Sequence, residues 1–311
     1  MTTEEVTFEE YKEKTMPQIF YNTMNFNNFN KDKAKKVRYL LFKDNKYRFA
    51  LCVGEKNNNF LIPFSAPFAS FVPLKKFWKL SELYNAVSAF DEFAKNENIN
   101  KILFTLPPSI YDNTFVSSLQ NVLIQNGYKV KQQELNYSLK LDKEIEDYKK
   151  ILPSNGRKNL NIALKNKNIK ILHCKNINQK SQAYDIIAIN RNFRGYPLRM
   201  TWEQVKNTIA LVPHNFFILE NENKAIASAI IFHITNEIAQ VIYWGNIPDF
   251  SEFKPMNYLA YYLYGFYHDM NFEYLDIGPS TENGVPNFGL CDFKQSIGCD
   301  VSAKFVLEKI L

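Results

Sequence analysis

Two windows of the chain, Lys101–Val130 and Phe272–Val301, align without a gap at an offset of 171 residues. Each reads strand, Pro-Ser, loop, helix, glycine, strand. Pro108-Ser109 falls on Pro279-Ser280, Leu119 on Leu290, Gly127 on Gly298 and Val130 on Val301. Five identities in thirty positions carry little alone, so the weight rests on the shared order of elements. Both windows also follow a meander and a helix. The pattern implies duplication of one α/β unit, in the order helix, antiparallel meander, helix, strand, helix, strand. The fold class that follows is α/β (α+β), with two tandem domains, each a mixed, mostly antiparallel sheet flanked by helices. The boundary is expected between 142 and 143, giving domains 1–142 and 143–311, in line with one domain per roughly 100–200 residues.

Local patterning supplies the elements. In the first half a helix is expected over 8–20, strands over 37–42, 47–54 and 59–63, and an irregular apolar loop with three prolines over 63–73. A helix over 81–96 with Ser81 as N-cap, a strand over 101–106 and a helix over 113–126 follow. In the second half the pattern gives helices over 156–167, 181–194, 201–211 and 255–270. Strands are expected over 169–174, 215–220, 225–235, 238–244 and 274–277. A short helix over 290–297 and a last strand over 301–307 end the chain.

The net charge of +6 is unevenly placed. Residues 131–180 hold twelve Lys/Arg and five Asp/Glu, and no acid stands between Asp147 and Asp185. Such a run is either a solvated helical face or a site for a polyanion. The basic helix lacks interleaved aromatics, which weakens a nucleic-acid reading. Cys52, Cys174, Cys291 and Cys299 show no paired spacing and read as reduced thiols of a cytoplasmic protein. The acidic N-terminus is unlike a signal peptide, and no apolar run approaches the roughly 20 residues of a membrane helix. His173, His214, His233 and His268 have no metal-ligand spacing, so no metal site is expected.

The order of elements is that of the GNAT acyltransferase fold. Two such units in tandem resemble the Fem-type peptidoglycan aminoacyltransferases, and the resemblance covers nearly the whole chain. QVIYWGN (240–246) looks like the central strand that splays to admit the donor, and PMNYLAYYLYGFY (255–267) like the helix after it. LDIGPSTENG (275–284) and GLCDFKQSIG (289–298) look like the closing strand, loop and FK…G helix. LPSNGRKNLNIALK (152–165) is similar to the basic helix that opens the second unit. In place of a glycine-rich pyrophosphate loop the chain has IPDFSEFKPMNY (247–258), with an Asp, a Glu and a proline that lacks an N–H. Members that use aminoacyl-tRNA also lack that loop.

The resemblance implies an N-acyl or aminoacyl transferase acting on an amino group of an anionic cell-envelope or glycan precursor. Acyl-CoA or aminoacyl-tRNA would be the donor substrate, with tRNA a partner in the second case and no permanently bound cofactor. The donor would meet Trp244, Gly245, Asn246, Met256, Asn257 and Tyr258, with Gly245 marking a strand bulge that frees backbone donors. Three of the six arginines cluster in NRNFRGYPLRM. Arg191 and Arg194 there, and Arg157 on the basic helix, offer planar donors for phosphate or carboxylate, with Tyr196 as an apolar wall. Ser280, Asn283 and Asn287 crowd the loop after a strand end, where α/β folds bind ligands. Amide formation needs a base and an oxyanion donor. Asp276 or Glu282 fits the base, and Lys294 fits the charge. Phe293 and Ile297 share a helix face that should enter the core, and Lys294, turned about 100° from Phe293, should reach out to the loop. Two other classes remain open: a non-catalytic ligand-binding protein on the same fold, and a basic nucleic-acid-binding module.

Overall fold

The computed structural model describes residues Met1–Leu311. Compactness divides the chain into two units. Unit 1 holds residues 1–135, 281–285 and 302–311. Unit 2 holds 136–280 and 286–301.

Unit 1 opens with β1 (Thr2–Val6), α1 (Phe8–Lys14) and α2 (Met24–Phe29). The meander β2 (Lys36–Lys43), β3 (Tyr47–Lys56) and β4 (Asn59–Ile62) follows, with β5 (Val72–Pro73) paired to β3. Then come α3 (Leu80–Asn96), β6 (Lys101–Thr105) and α4 (Asn113–Gln125). Strand β7 (Lys129–Lys140) runs from unit 1 into unit 2.

Unit 2 continues with α5 (Ile145–Ile151), α6 (Ser154–Lys165), β8 (Ile169–His173), α7 (Ile177–Arg194) and α8 (Trp202–Thr208). Its meander is β9 (His214–Asn221), β10 (Lys224–His233) and β11 (Ile238–Asn246), followed by α9 (Pro255–Asp269) and β12 (Tyr274–Pro279). The small hairpin β13 (Thr281–Glu282) and β14 (Val285–Pro286), α10 (Phe288–Ser296) and β15 (Asp300–Ile310) complete the chain.

The strand orders of the two units repeat each other strand for strand. Unit 1 runs β1-β2-β3-β4-β6-β15 and unit 2 runs β8-β9-β10-β11-β12-β7. In both, the one parallel pair is the fourth with the fifth strand, β4 with β6 and β11 with β12. The other pairs are antiparallel. The offset of 171 holds to the residue where it matters: α4 ends at Gln125 and α10 at Ser296, and β7 starts at Lys129 and β15 at Asp300. Gly127 and Gly298 both take left-handed φ, +87° and +84°, just past those helix ends. Only glycine adopts that conformation without a Cβ penalty, which explains their place in the alignment.

Several boundaries differ from the sequence reading, each for a local reason. Helix α1 stops at Lys14 instead of reaching Phe20. Thr15 turns its hydroxyl back to Tyr11 O at 2.8 Å, and Pro17 has no N–H with which to continue a helix. The N-cap position of α3 is Lys79, not Ser81, because Glu82 reaches back to accept the Lys79 N–H at 3.0 Å. The acidic start forms β1, whose Glu5 pairs with Lys36 and Arg38, both at 2.8 Å. No helix is long and apolar enough to cross a membrane.

Candidate functional site

Strands β11 and β12 pair over only three residues each, Ile238–Gln240 with Tyr274–Asp276. Strand β11 then runs on to Asn246 with no further pairing to β12. The two strands therefore part at Gln240 and Asp276. The bulge in β11 lies at Ile242, skipped between Tyr243↔Ile230 and Val241↔Ile231, and not at Gly245, which pairs regularly with Ser228. Gly245 is needed for close approach instead. A Cβ there would stand 2.7 Å from Asn190 Cγ, and Asn190 Nδ2 donates to Asn246 O at 2.6 Å. This contact fixes the end of β11 to the last turns of α7.

Asp276 sits at the parting point, fully buried. Asn136 Nδ2 (2.8 Å), Gln240 Nε2 (2.7 Å) and Gly278 N (2.9 Å) all donate to its carboxylate. Asn136 and Gln240 were not singled out in sequence. The available signal is a polar side chain at an inward position of a strand.

Lys294 does not reach outward. It is 5% exposed, and its Nζ donates to Ile277 O, Gly278 O and Pro279 O at 3.2, 2.8 and 3.0 Å. The Tyr137 ring lies 5.3 Å from it. Burial pulls the ammonium down to about 8, while the fields of Cys299 and Asp276 work the other way. The three donor positions of its ammonium match the three carbonyls. On α10 it is Lys294, with Ile297, that enters the fold, while Phe293 is half-buried and meets Trp244 edge-on at 5.9 Å.

Around this strand end gather several residues expected to bind substrate. Asn287 caps α10 by accepting the Leu290 N–H (3.1 Å), and its Nδ2 donates to Tyr196 Oη (2.8 Å). The Asn287 N–H donates to Ser280 O at 2.9 Å. The Ser280 hydroxyl is buried and has no hydrogen-bond partner. The Arg191 guanidinium lies 6.0 Å from the Tyr196 ring and 5.9 Å from the Tyr243 ring. Its Nε is buried without a partner, and no carboxylate is within ion-pair distance. Burial lowers its pKa, with Tyr243 and Tyr196 opposing and Arg194 assisting. The Arg191 guanidinium, without a carboxylate, and the unpaired Ser280 hydroxyl are each donors that an oxyanion could use.

Other expected residues stand elsewhere. Arg194 is exposed at the end of α7. Arg157 donates from Nη2 to Lys150 O (2.8 Å) and Leu152 O (3.0 Å), closing the end of α5. Glu282 and Asn283 belong to unit 1 and are exposed, Asn283 in a two-residue turn with φ of +53°. Met256 and Tyr258 pack on the cluster of Ala163, Ile169, Leu219, Ile226 and Ala227. Asn257 is buried, and the Asn257 and Tyr258 N–H groups donate to Lys254 O at 3.1 and 3.3 Å.

No family model matches this chain, and no curated protein matches it. Solved structures do. FemX aligns with a TM-score of 0.71 and 13% identity over 100% of this chain and 98% of that one. L-PGS from Bacillus licheniformis gives 0.58 and 10% over 96% and 90%. A tandem GNAT protein from the clavulanic acid biosynthesis pathway gives 0.52 and 6% over 88% and 83%. At these identities the likeness is one of fold. The chain has the Fem-type, tandem GNAT-like fold, each half a mixed, mostly antiparallel sheet flanked by helices.

Proposed function

We propose that this chain is an acyl or aminoacyl transferase that acts on an amino group of an anionic cell-envelope precursor, at the end of β12 in unit 2. One observation carries the reading. At matched register, α10 places a buried lysine, Lys294, where α4 places the buried Leu123. The fold closes without a lysine in one repeat, so the costly buried charge in the other serves something besides closure. Arg191 and Ser280 supply uncommitted donors for the acceptor's phosphate or carboxylate. Lys294 holds the carbonyls of Ile277–Pro279 and so fixes the backbone on which substrate would lie.

Aminoacyl-tRNA is favoured over acetyl-CoA as donor. At the start of α9 the Asn257 and Tyr258 N–H groups already serve Lys254 O, and Pro255 has none. That leaves a poor cradle for a pyrophosphate. Acetyl-CoA is accordingly expected to bind weakly. Incubation with charged tRNA or acyl-CoA and an amino-sugar peptide precursor, read by mass spectrometry, tests the proposal. Absence of any acylated product with both donors would sink it.

A second reading, a binding protein without chemistry, draws on Asp276. Its three donors leave it no ready part as a base. Under that reading calorimetry would show an anionic ligand binding in an Arg191-dependent way while no product forms.

A further inference from the structure

The start of α3 in unit 1 shows a surface that the fold does not require. Trp78 turns inward, its ring edge-on to Phe115 at 5.2 Å and to Phe49 at 6.5 Å. The backbone before α3 is extended, with φ −104° and ψ 146° at Lys79, so neighbours alternate in direction. Phe77 and Lys79 therefore point away from the fold, and Phe77 is 80% exposed. One turn on, Leu80 (51% exposed) and Tyr84 (44%) lie at i, i+4 spacing on α3, at the solvent edge of the stripe formed by the buried Leu83, Ala86 and Val87.

The charges around this apolar tip are one-sided. The nearby acid, Glu82, is spent. It accepts from Lys75 Nζ at 2.9 Å, lies 3.4 Å from Arg48 and caps the helix through Lys79 N. Lys76 and Lys79 are exposed and have no ion-pair partner, and the Lys76 Nζ stands 5.8 Å from the Phe77 ring. Two free cations thus flank three protruding apolar side chains.

We propose that residues 76–84 form a peripheral docking surface for an anionic lipid bilayer. Phe77, Leu80 and Tyr84 would enter the headgroup and acyl boundary, and Lys76 and Lys79 would meet lipid phosphates. A lipid surface fits better than a protein partner. A stable protein interface takes about 20–30 residues a side, whereas this tip offers five. Unpaired lysines beside a protruding aromatic suit a surface that is both anionic and deformable. The inference does not depend on the transferase reading, and its test needs no activity.

The test is co-sedimentation of the full chain with vesicles of phosphatidylcholine alone or with about one third phosphatidylglycerol, at low and high salt. Binding is expected to the phosphatidylglycerol vesicles only, and to weaken with salt. Lys76→Glu/Lys79→Glu and Phe77→Ser/Leu80→Ser are each expected to lower partitioning by about tenfold or more, from the worth of each basic or apolar group at such a surface. Both variants should melt close to the parent, since these side chains are exposed and lie outside the core cluster of unit 1. Parent-level binding by both variants, or no binding of the parent at low salt, would overturn the proposal. So would capture of a soluble protein that these variants abolish while vesicle binding stays unchanged.

Discussion

The two repeats close the same strand junction in opposite ways. In unit 1, β4 pairs with β6 through Ile62↔Phe104, and the segment after β4 folds back across the strand end. Ala69 N donates to Thr105 O at 3.0 Å, and Phe68, Ala69 and Phe71 are buried there. The site is filled by the chain's own apolar loop. In unit 2, β11 leaves β12 after three pairs, and the strand end carries Asp276, Ser280 and Lys294. Thr105 and Leu123 hold the matching positions of Asp276 and Lys294 at the offset of 171. One backbone frame supports both solutions, so the polar set of unit 2 is not a demand of the fold.

Two arginines repeat the contrast. Arg38 in unit 1 meets Glu5 at 2.8 Å and Glu55 and Glu97 at 2.7 Å each. Arg191 in unit 2 meets no acid. The first is a finished structural network and the second a cation still open to an anion.

The strongest way to break this comparison is to exchange the register partners. Leu123→Lys places a charge in the apolar core of unit 1 without carbonyls arranged to receive it, and should cost about 4 kcal/mol or more. Lys294→Leu should cost only about 1–2 kcal/mol, because three carbonyls lose a donor while a buried charge is relieved. It should nevertheless abolish ligand binding or turnover. Urea midpoints measure both, and equal losses would mean that the lysine is merely structural.

Next in size is the arginine pair. Arg38→Met strands the buried carboxylate of Glu55 and should cost about 3 kcal/mol. Arg191→Met should cost no more than about 1 kcal/mol, since it loses two ring contacts but no ion pair, yet weaken anion binding on the order of tenfold. A large stability loss at Arg191 would count against an open site.

A smaller effect separates the units by pH. All four histidines lie in unit 2. Burial, with His214 nearby, pulls His233 down to about 4, and burial also lowers His173 and His214. Asn215 donates to His233 Nε2 at 2.9 Å and meets His173 Nε2 at 2.8 Å, a chain that uses neutral rings. Below the ordinary histidine value near 6.5 the unfolded chain takes up the proton first. Stability is therefore full above about 6.5 and falls as the pH drops toward 4. Hydrogen exchange at pH 5 should loosen β8–β10 before the strands of unit 1, and uniform loosening would contradict the assignment.

The smallest effect is at the hairpin turn. Asn283-Gly284 takes left-handed φ at both residues, +53° and +79°. Gly284→Ala should cost about 1 kcal/mol in thermal melting, with little effect on ligand binding in unit 2.

Much of this was legible in the chain. The offset of 171 located both repeats because glycine at 127 and 298 is dictated by local backbone conformation. The caps at Thr201 and the Pro255 start of α9 were likewise local matters, fixed within one turn. Arg191, Tyr196, Ser280 and Asn287 were picked out by type and crowding, and they do lie on one linked set of contacts. Missed were Asn136 and Gln240, which look like ordinary strand residues until a partner strand brings a carboxylate between them.

The sequence by itself determined the order of elements, the duplication and the concentration of charge, since each depends on neighbours within a few residues or on a repeated pattern. The direction of Lys294 was decided only by the tertiary structure. Helical spacing put it at an angle to Phe293, but three carbonyls at the end of β12 draw it inward, and no local rule contains them. The need for glycine at 245 has the same origin, because Asn190 on a distant helix occupies the space that a Cβ there would need. The closing strands were settled there too. Strand β15 pairs with β6 and β7 with β12, each across a long stretch of chain, because a strand edge is satisfied by hydrogen-bond geometry and not by proximity in sequence.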